Sequence, residues 1–108
     1  MKIGLDIMSG DQGPLSNIKG AINYLNNPIS KGNTIVLYGN QNIFNVNKSL
    51  INKYKKRLKF IITKHTITMD DKPSIAFRKK RDSSLIKIID DMKNGNLDGC
   101  VSSGNTGA

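Results

Sequence analysis

Thr34-Ile35-Val36-Leu37-Tyr38 is a short, nearly continuous apolar run, and its reading decides the fold class. A strand with one wet face alternates apolar and polar residues, whereas an unbroken run marks a parallel strand covered on both faces. Upstream of it, Ile3-Gly4-Leu5-Asp6-Ile7 reads as an opening strand and Ser9-Gly10-Asp11-Gln12-Gly13 as a turn. Pro14 suits the first position of a helix, where its missing N–H would have no partner in any case. Leu15, Ile18, Ala21, Ile22 and Leu25 mark one face of that helix, and Asn26-Asn27-Pro28 ends it. Downstream, Gly39-Asn40 turns the chain. Ile43, Val46, Leu50, Tyr54 and Leu58 approximate a second helical stripe, and Phe60-Ile61-Ile62 a third strand.

Residues 63–72 form a polar connection to which the pattern assigns no element. Pro73 is expected to open a short helix carrying Ile75, Ala76 and the basic run Arg78-Lys79-Lys80-Arg81. Asp82, Ser83 and Ser84 are helix-capping types, and Leu85, Ile88, Ile89 and Met92 follow at helical spacing. Gly95 is placed to end that helix in a left-handed conformation. Leu97 to Ser102 reads as a fourth strand that runs into Gly104-Asn105-Thr106-Gly107-Ala108. The order βαβαβ-αα-β predicts an α/β fold with a mostly parallel sheet and helices on both faces. A strand and glycine-rich turn in this class normally feed a helix that packs back on the sheet. Residues 1–108 are therefore expected to be the amino-terminal part of one α/β domain, incomplete after the Gly104–Ala108 loop.

Composition narrows the function. The chain has 108 residues, with 17 Lys and Arg against 8 acidic residues and a net charge of +9. One domain with a modest core is the natural reading at this length. No apolar run approaches the roughly 20 residues that span a bilayer. Gly4, Asp6 and Ser9 interrupt the amino-terminal stretch that a signal peptide would need. One cysteine excludes an internal disulfide framework, and no ligand set for structural zinc is present. The expectation is a cytoplasmic protein. The positive charge admits nucleic acid as an alternative partner, but no aromatic residues interleave with the clusters at Lys53–Lys59 and Arg78–Arg81 to stack bases. Abundant Lys, Asn and Ile also follow from AT-rich codons, so charge alone identifies no partner.

Two loops are expected at carboxyl ends of parallel strands, the edge where open α/β sheets hold ligands. They are Asp6 to Pro14 and Val101 to Ala108. Neither fits the dinucleotide fingerprint or the P-loop. Small residues that free backbone amides, together with Ser and Thr hydroxyls, suit an anion; the plainer reading of Gly104 and Gly107 is a tight turn. Asp6 and Asp11 form a weak metal pair without a further ligand, and the favoured reading has Asp11 capping the turn before Pro14 and Asp6 ending a strand. Cys100, within an apolar strand, reads as a small core residue. His65 has no evident partner, and no nucleophile–base pairing is present for covalent catalysis.

Taken together, Asp6-Ile7-Met8-Ser9-Gly10-Asp11-Gln12-Gly13-Pro14, the stretch from Lys72-Pro73-Ser74 through Arg78-Lys79-Lys80 to Ser83-Ser84-Leu85, and Val101-Ser102-Ser103-Gly104-Asn105-Thr106-Gly107-Ala108 resemble three ordered motifs of the bacterial phosphate acyltransferases of phospholipid synthesis. The likeness covers this chain but only the amino-terminal part of the family. Ser9 stands where the family usually has glycine and Ser103 where it has alanine. The resemblance implies a three-layer αβα, Rossmann-like fold of the isopropylmalate dehydrogenase and phosphotransacetylase type. It also implies transfer of a fatty acyl group from acyl-carrier protein to inorganic phosphate, with no cofactor and no metal. A homodimer, peripheral contact with the membrane and no nucleic-acid partner belong to the same expectation. Gly104, Asn105, Thr106 and Gly107 are expected to hold phosphate or the developing oxyanion, with Asn105 and Thr106 catalytic. Asp11 and Ser84 are expected to bind substrate, and Arg78, Lys79 and Lys80 to attract phosphate or the acidic carrier. The isolated chain is expected to be inactive, because the helix after the anion-binding turn is missing; a non-functional remnant of the enzyme is the remaining alternative.

Overall fold

The computed structural model describes residues 1–8, 13–64 and 84–102. Four strands, β1 (Lys2–Asp6), β2 (Thr34–Gly39), β3 (Leu58–Ile62) and β4 (Gly99–Val101), form one sheet in the order β3-β2-β1-β4. Every pairing is parallel, with Leu5 opposite Leu37 on one side and Val101 on the other. The described helices are α1 (Pro14–Leu25), α2 (Gln41–Lys53) and α3 (Ser84–Lys93).

The layers follow from the direction of chain travel. From β1 through β3 the chain moves one way across the sheet, so right-handed crossovers put α1 and α2 on the same face. Ile18, Ala21, Ile22, Leu25 and Ile51 pack there on Ile7, Ile35, Leu37 and Leu58. Between β3 and β4 the chain travels back, and α3 covers the opposite face, where Ile88 meets Val36, Tyr38 and Leu97. This is the Rossmann-like three-layer αβα arrangement. β2 contributes core to both sides, with Ile35 and Leu37 on one and Val36 and Tyr38 on the other. That double coverage is why its sequence does not alternate.

Local chemistry sets the element ends. Pro14 occupies the first turn of α1, and Asn40 caps α2 by accepting the Ile43 amide at 2.9 Å. Gly95 closes α3 at φ 78°, with its amide on the Met92 carbonyl and the Asn96 amide on that of Asp91. Gly4 makes room for Leu97, just past α3: a Cβ there would lie 2.6 Å from Leu97 Cδ1 and 3.7 Å from Ile88 Cγ2 of the helix.

Several expectations change. Val46 is 73% exposed, and Leu58 begins β3 rather than closing a helical stripe. α2 presents Ile43, Phe44, Leu50 and Ile51 to the core instead, with Phe44 against Phe60 at a ring separation of 5.1 Å. Leu15 is exposed at the start of α1. The fourth strand is shorter than residues 97–102, and Leu97 is a buried residue ahead of it. Cys100 is exposed, not core. It lies in β4, which among the described residues pairs only with β1, so nothing described covers its outer side. The helix expected after Pro73 falls outside the described residues.

Candidate functional site

The strand order locates the site. The chain leaves β1 toward β2, and later returns to place β4 on the other flank of β1. The reversal lies between β1 and β4, and ligands of open α/β sheets bind outside the carboxyl ends of the strands at that point.

Asp6, the last residue of β1, is 5% exposed there. Its Oδ1 accepts the Met8 amide at 3.0 Å and its Oδ2 accepts the Ser102 hydroxyl at 3.2 Å. One carboxylate thus joins the chain leaving β1 to the chain leaving β4, across 96 positions of sequence. The Ile7 amide donates to the Tyr38 carbonyl at 3.1 Å, and Asn17 Nδ2 donates to the Ile7 carbonyl at 3.0 Å. Asn17, in the first turns of α1, therefore fixes that helix start against the β1 exit. The N-cap residue of α1 is Gly13, which offers no side-chain cap, and among the described residues no acidic residue stands in the first turn. The positive end of the helix macrodipole faces this edge. An anion is the ligand such a helix start favours.

At the end of β3, the Thr63 amide donates to the Gly39 carbonyl, and the Thr63 hydroxyl lies 2.9 Å from that of Ser84. Both residues are buried. Ser84, expected among the substrate-binding residues, opens α3 with its hydroxyl in this pair. Asp11, Arg78, Lys79, Lys80, Gly104, Asn105, Thr106 and Gly107 lie outside the described residues, as do Ser9, His65 and Ser103. Among the described residues no group of three or more His, Cys, Asp or Glu side chains is arranged to hold a metal.

Sequence reasoning placed Asp6 at a strand end but missed its bond to Ser102, and it missed Asn17 altogether. An acidic residue closing a first strand, with small hydroxyl residues closing a later one, is the only local trace of that bond. The basic run around Lys53 lies at the opposite, amino-terminal edge of the sheet. Within it Arg57 is committed to structure: its guanidinium donates to the carbonyls of Leu25, Ser30 and Asn33. On the α3 face, the buried Tyr38 hydroxyl donates to Asp91 at 2.6 Å. Burial first, and then the Asp91 hydrogen bond and charge, push the Tyr38 phenol well above its ordinary pKa. No described helix is long and apolar enough to cross a membrane.

Residues 1–108 match the family described as fatty acid synthesis protein. The chain also aligns along its whole length with phosphate acyltransferases. It is 37% identical over 111 residues to that of Staphylococcus haemolyticus, covering 30% of the relative. It is 37% identical over 113 residues to that of Colwellia psychrerythraea and 36% over 110 residues to that of Caldicellulosiruptor saccharolyticus, covering 32% of each. The chain thus spans about a third of the length of these curated relatives. With the parallel αβα fold and the family match along all of its own residues, this chain belongs to the fatty acid synthesis protein family, among relatives named phosphate acyltransferase.

Proposed function

We propose that this chain supplies the phosphate-binding part of an acyltransferase that moves a fatty acyl group from acyl-carrier protein to inorganic phosphate. The observation that carries this reading is the alignment of the whole chain with enzymes named phosphate acyltransferase. The bonded exits of β1 and β4 beside the start of α1 support it, because they bring the ends of two strands together at one anion-favouring edge.

In this reaction a phosphate oxygen attacks the thioester carbonyl carbon. The carbonyl oxygen takes up negative charge, the C–S bond then breaks, and the carrier thiol leaves with acyl phosphate as product. Phosphate is itself the nucleophile, so no activated Ser or Cys is required. The protein's work is to hold phosphate and carbonyl in line and to stabilise the oxyanion. Amides and side chains of Gly104, Asn105, Thr106 and Gly107 serve as the donors, with Asn105 and Thr106 at the reacting atoms. Asp11 orients the loop or substrate, the buried Ser84 pairs with Thr63 where α3 begins, and Arg78, Lys79 and Lys80 draw in phosphate or the acidic carrier. Asp6 holds the two loop bases together.

A chimaera tests this. Residues 1–108 replace the matched segment of the Staphylococcus haemolyticus phosphate acyltransferase, and acyl phosphate formed from acyl-carrier protein and phosphate is trapped with hydroxylamine. The expected result is acyl phosphate formation, reduced about 100-fold or more by Asn105→Ala, as for other oxyanion donors. A folded chimaera that forms no acyl phosphate, or one indifferent to both Asn105→Ala and Thr106→Ala, overturns the reading.

A further inference from the structure

The face of the sheet under α1 is not filled by α1. Between that helix and the β1–β4 pair runs a groove of about 340 Å³. Ile3, Leu5 and Val101 form its floor, and Gly20, Ala21 and Tyr24 of α1 one wall. Val101 is 57% exposed in it, although β4 is otherwise integrated into the sheet through β1. The volume falls within the range of roughly 300–1,000 Å³ typical of small-molecule sites.

Two features give the groove a direction. Its polar lining, Ser16 and Asn17, belongs to the first turns of α1 at the carboxyl edge of the sheet. Its floor at that edge is Leu5 and Val101, the residues immediately before the bonded pair Asp6 and Ser102. From there it follows α1 to Tyr24, a length of about 12 Å for eight residues at ~1.5 Å each. The groove thus starts at the candidate anion site and is apolar beyond it. An amphiphile with its polar head at the carboxyl edge and a straight hydrocarbon tail matches that distribution.

We propose that this groove receives the hydrocarbon tail of the fatty acyl group, with the acyl carbonyl at the β1–β4 exits. The proposal rests on the function proposed above and adds where the tail lies. Gly20 lines the middle of the groove. A Cβ there would meet nothing within 4 Å, so larger side chains enter empty space instead of displacing neighbours. They also replace the poorest ordinary helix former, which favours α1. Gly20→Leu therefore adds bulk along the groove without opposing the fold.

The test uses the 108-residue chain with decanoate as probe, followed by amide NMR, with circular dichroism as the check on helix content. Decanoate is expected to shift the amides of Leu5, Gly20, Ala21 and Val101. Gly20→Leu is expected to weaken its binding at least tenfold with helix content retained, Gly20→Ala less so, and Val101→Ser is expected to weaken it independently of α1. Equal affinity in the wild-type and Gly20→Leu chains, or shifts confined to another face, overturns the proposal. So does self-association that Gly20→Leu abolishes while decanoate leaves the groove amides unmoved, since the occupant would then be a second copy. The two readings fail separately. A chimaera carrying Gly20→Leu that forms long-chain acyl phosphate at the unsubstituted rate removes the groove proposal and leaves the enzyme reading in place. An inactive unsubstituted chimaera removes the enzyme reading, and the decanoate titration then judges the groove alone.

Discussion

Removing the Asp6 carboxylate should uncouple the two loop exits, at a cost that can be worked from its contacts. Asp6 is buried, and its two oxygens accept one backbone amide and one hydroxyl. Hydrogen bonds to charged groups contribute about 1.5–3 kcal/mol each. Asp6→Ala forfeits at least these two and leaves the Met8 amide without this acceptor, so a loss of about 3–6 kcal/mol is expected. Against a typical total of about 5–15 kcal/mol, that is a large fraction of the stability. Ser102→Ala removes the cross-strand bond and should cost about 1–2 kcal/mol. Asp6→Asn keeps an acceptor for Met8 and turns a donor toward the Ser102 oxygen, so it should cost less than Asp6→Ala. The assay is urea unfolding of the single and double variants, followed by circular dichroism. If the carboxylate joins β1 to β4, the double variant Asp6→Ala/Ser102→Ala falls short of the sum of the singles by about 1–2 kcal/mol. Additivity within about 0.5 kcal/mol, the behaviour of independent sites, would refute the reasoning.

Two other perturbations probe the opposite face. Tyr38 has its phenol pKa raised by burial and by Asp91. A group whose folded pKa lies above its unfolded value stabilises the fold below the unfolded pKa, here about 10, and loses that contribution as pH rises beyond it. Thermal unfolding should therefore show a steep alkaline fall above pH ~10, and Tyr38→Phe should flatten it while costing about 1–3 kcal/mol at neutral pH through the lost partner of Asp91. Gly4→Ala places a methyl 2.6 Å from Leu97 Cδ1 and 3.2 Å from the Tyr38 ring. That overpacking should cost about 1–3 kcal/mol, or a melting temperature lower by roughly 4–8 °C per kcal/mol, whereas Gly4→Ala with Leu97→Ala should recover part of it.

Features written in short stretches of sequence were legible. The unbroken apolar run of β2, Pro14 at the start of α1 and the left-handed Gly95 each act within a few residues, and each is found as read. What escaped depends on tertiary placement. Val46 and Ile51 are both apolar members of α2, and only the angle at which the helix meets the sheet decides that Ile51 is buried. Cys100 looks like core in a strand but lies beside an uncovered edge of the described sheet. The bond between Asp6 and Ser102 joins residues 96 apart, so no local pattern encodes it. Of the candidate site, the family motifs named the loops, while the structure supplied the carboxylate that ties their bases together.

The exits of β1 and β4 are expected to gather an anion. An NMR titration of the chain with inorganic phosphate tests this most directly, because it reports which amides sense the ion. Saturable shifts are expected at Met8, Leu15 to Asn17, Ser102 and the Gly104–Gly107 amides, and they should weaken in Asp6→Ala. Phosphate that instead shifts only Lys53, Lys55, Lys56 and Arg57 at the opposite edge, or that shifts nothing, would contradict it.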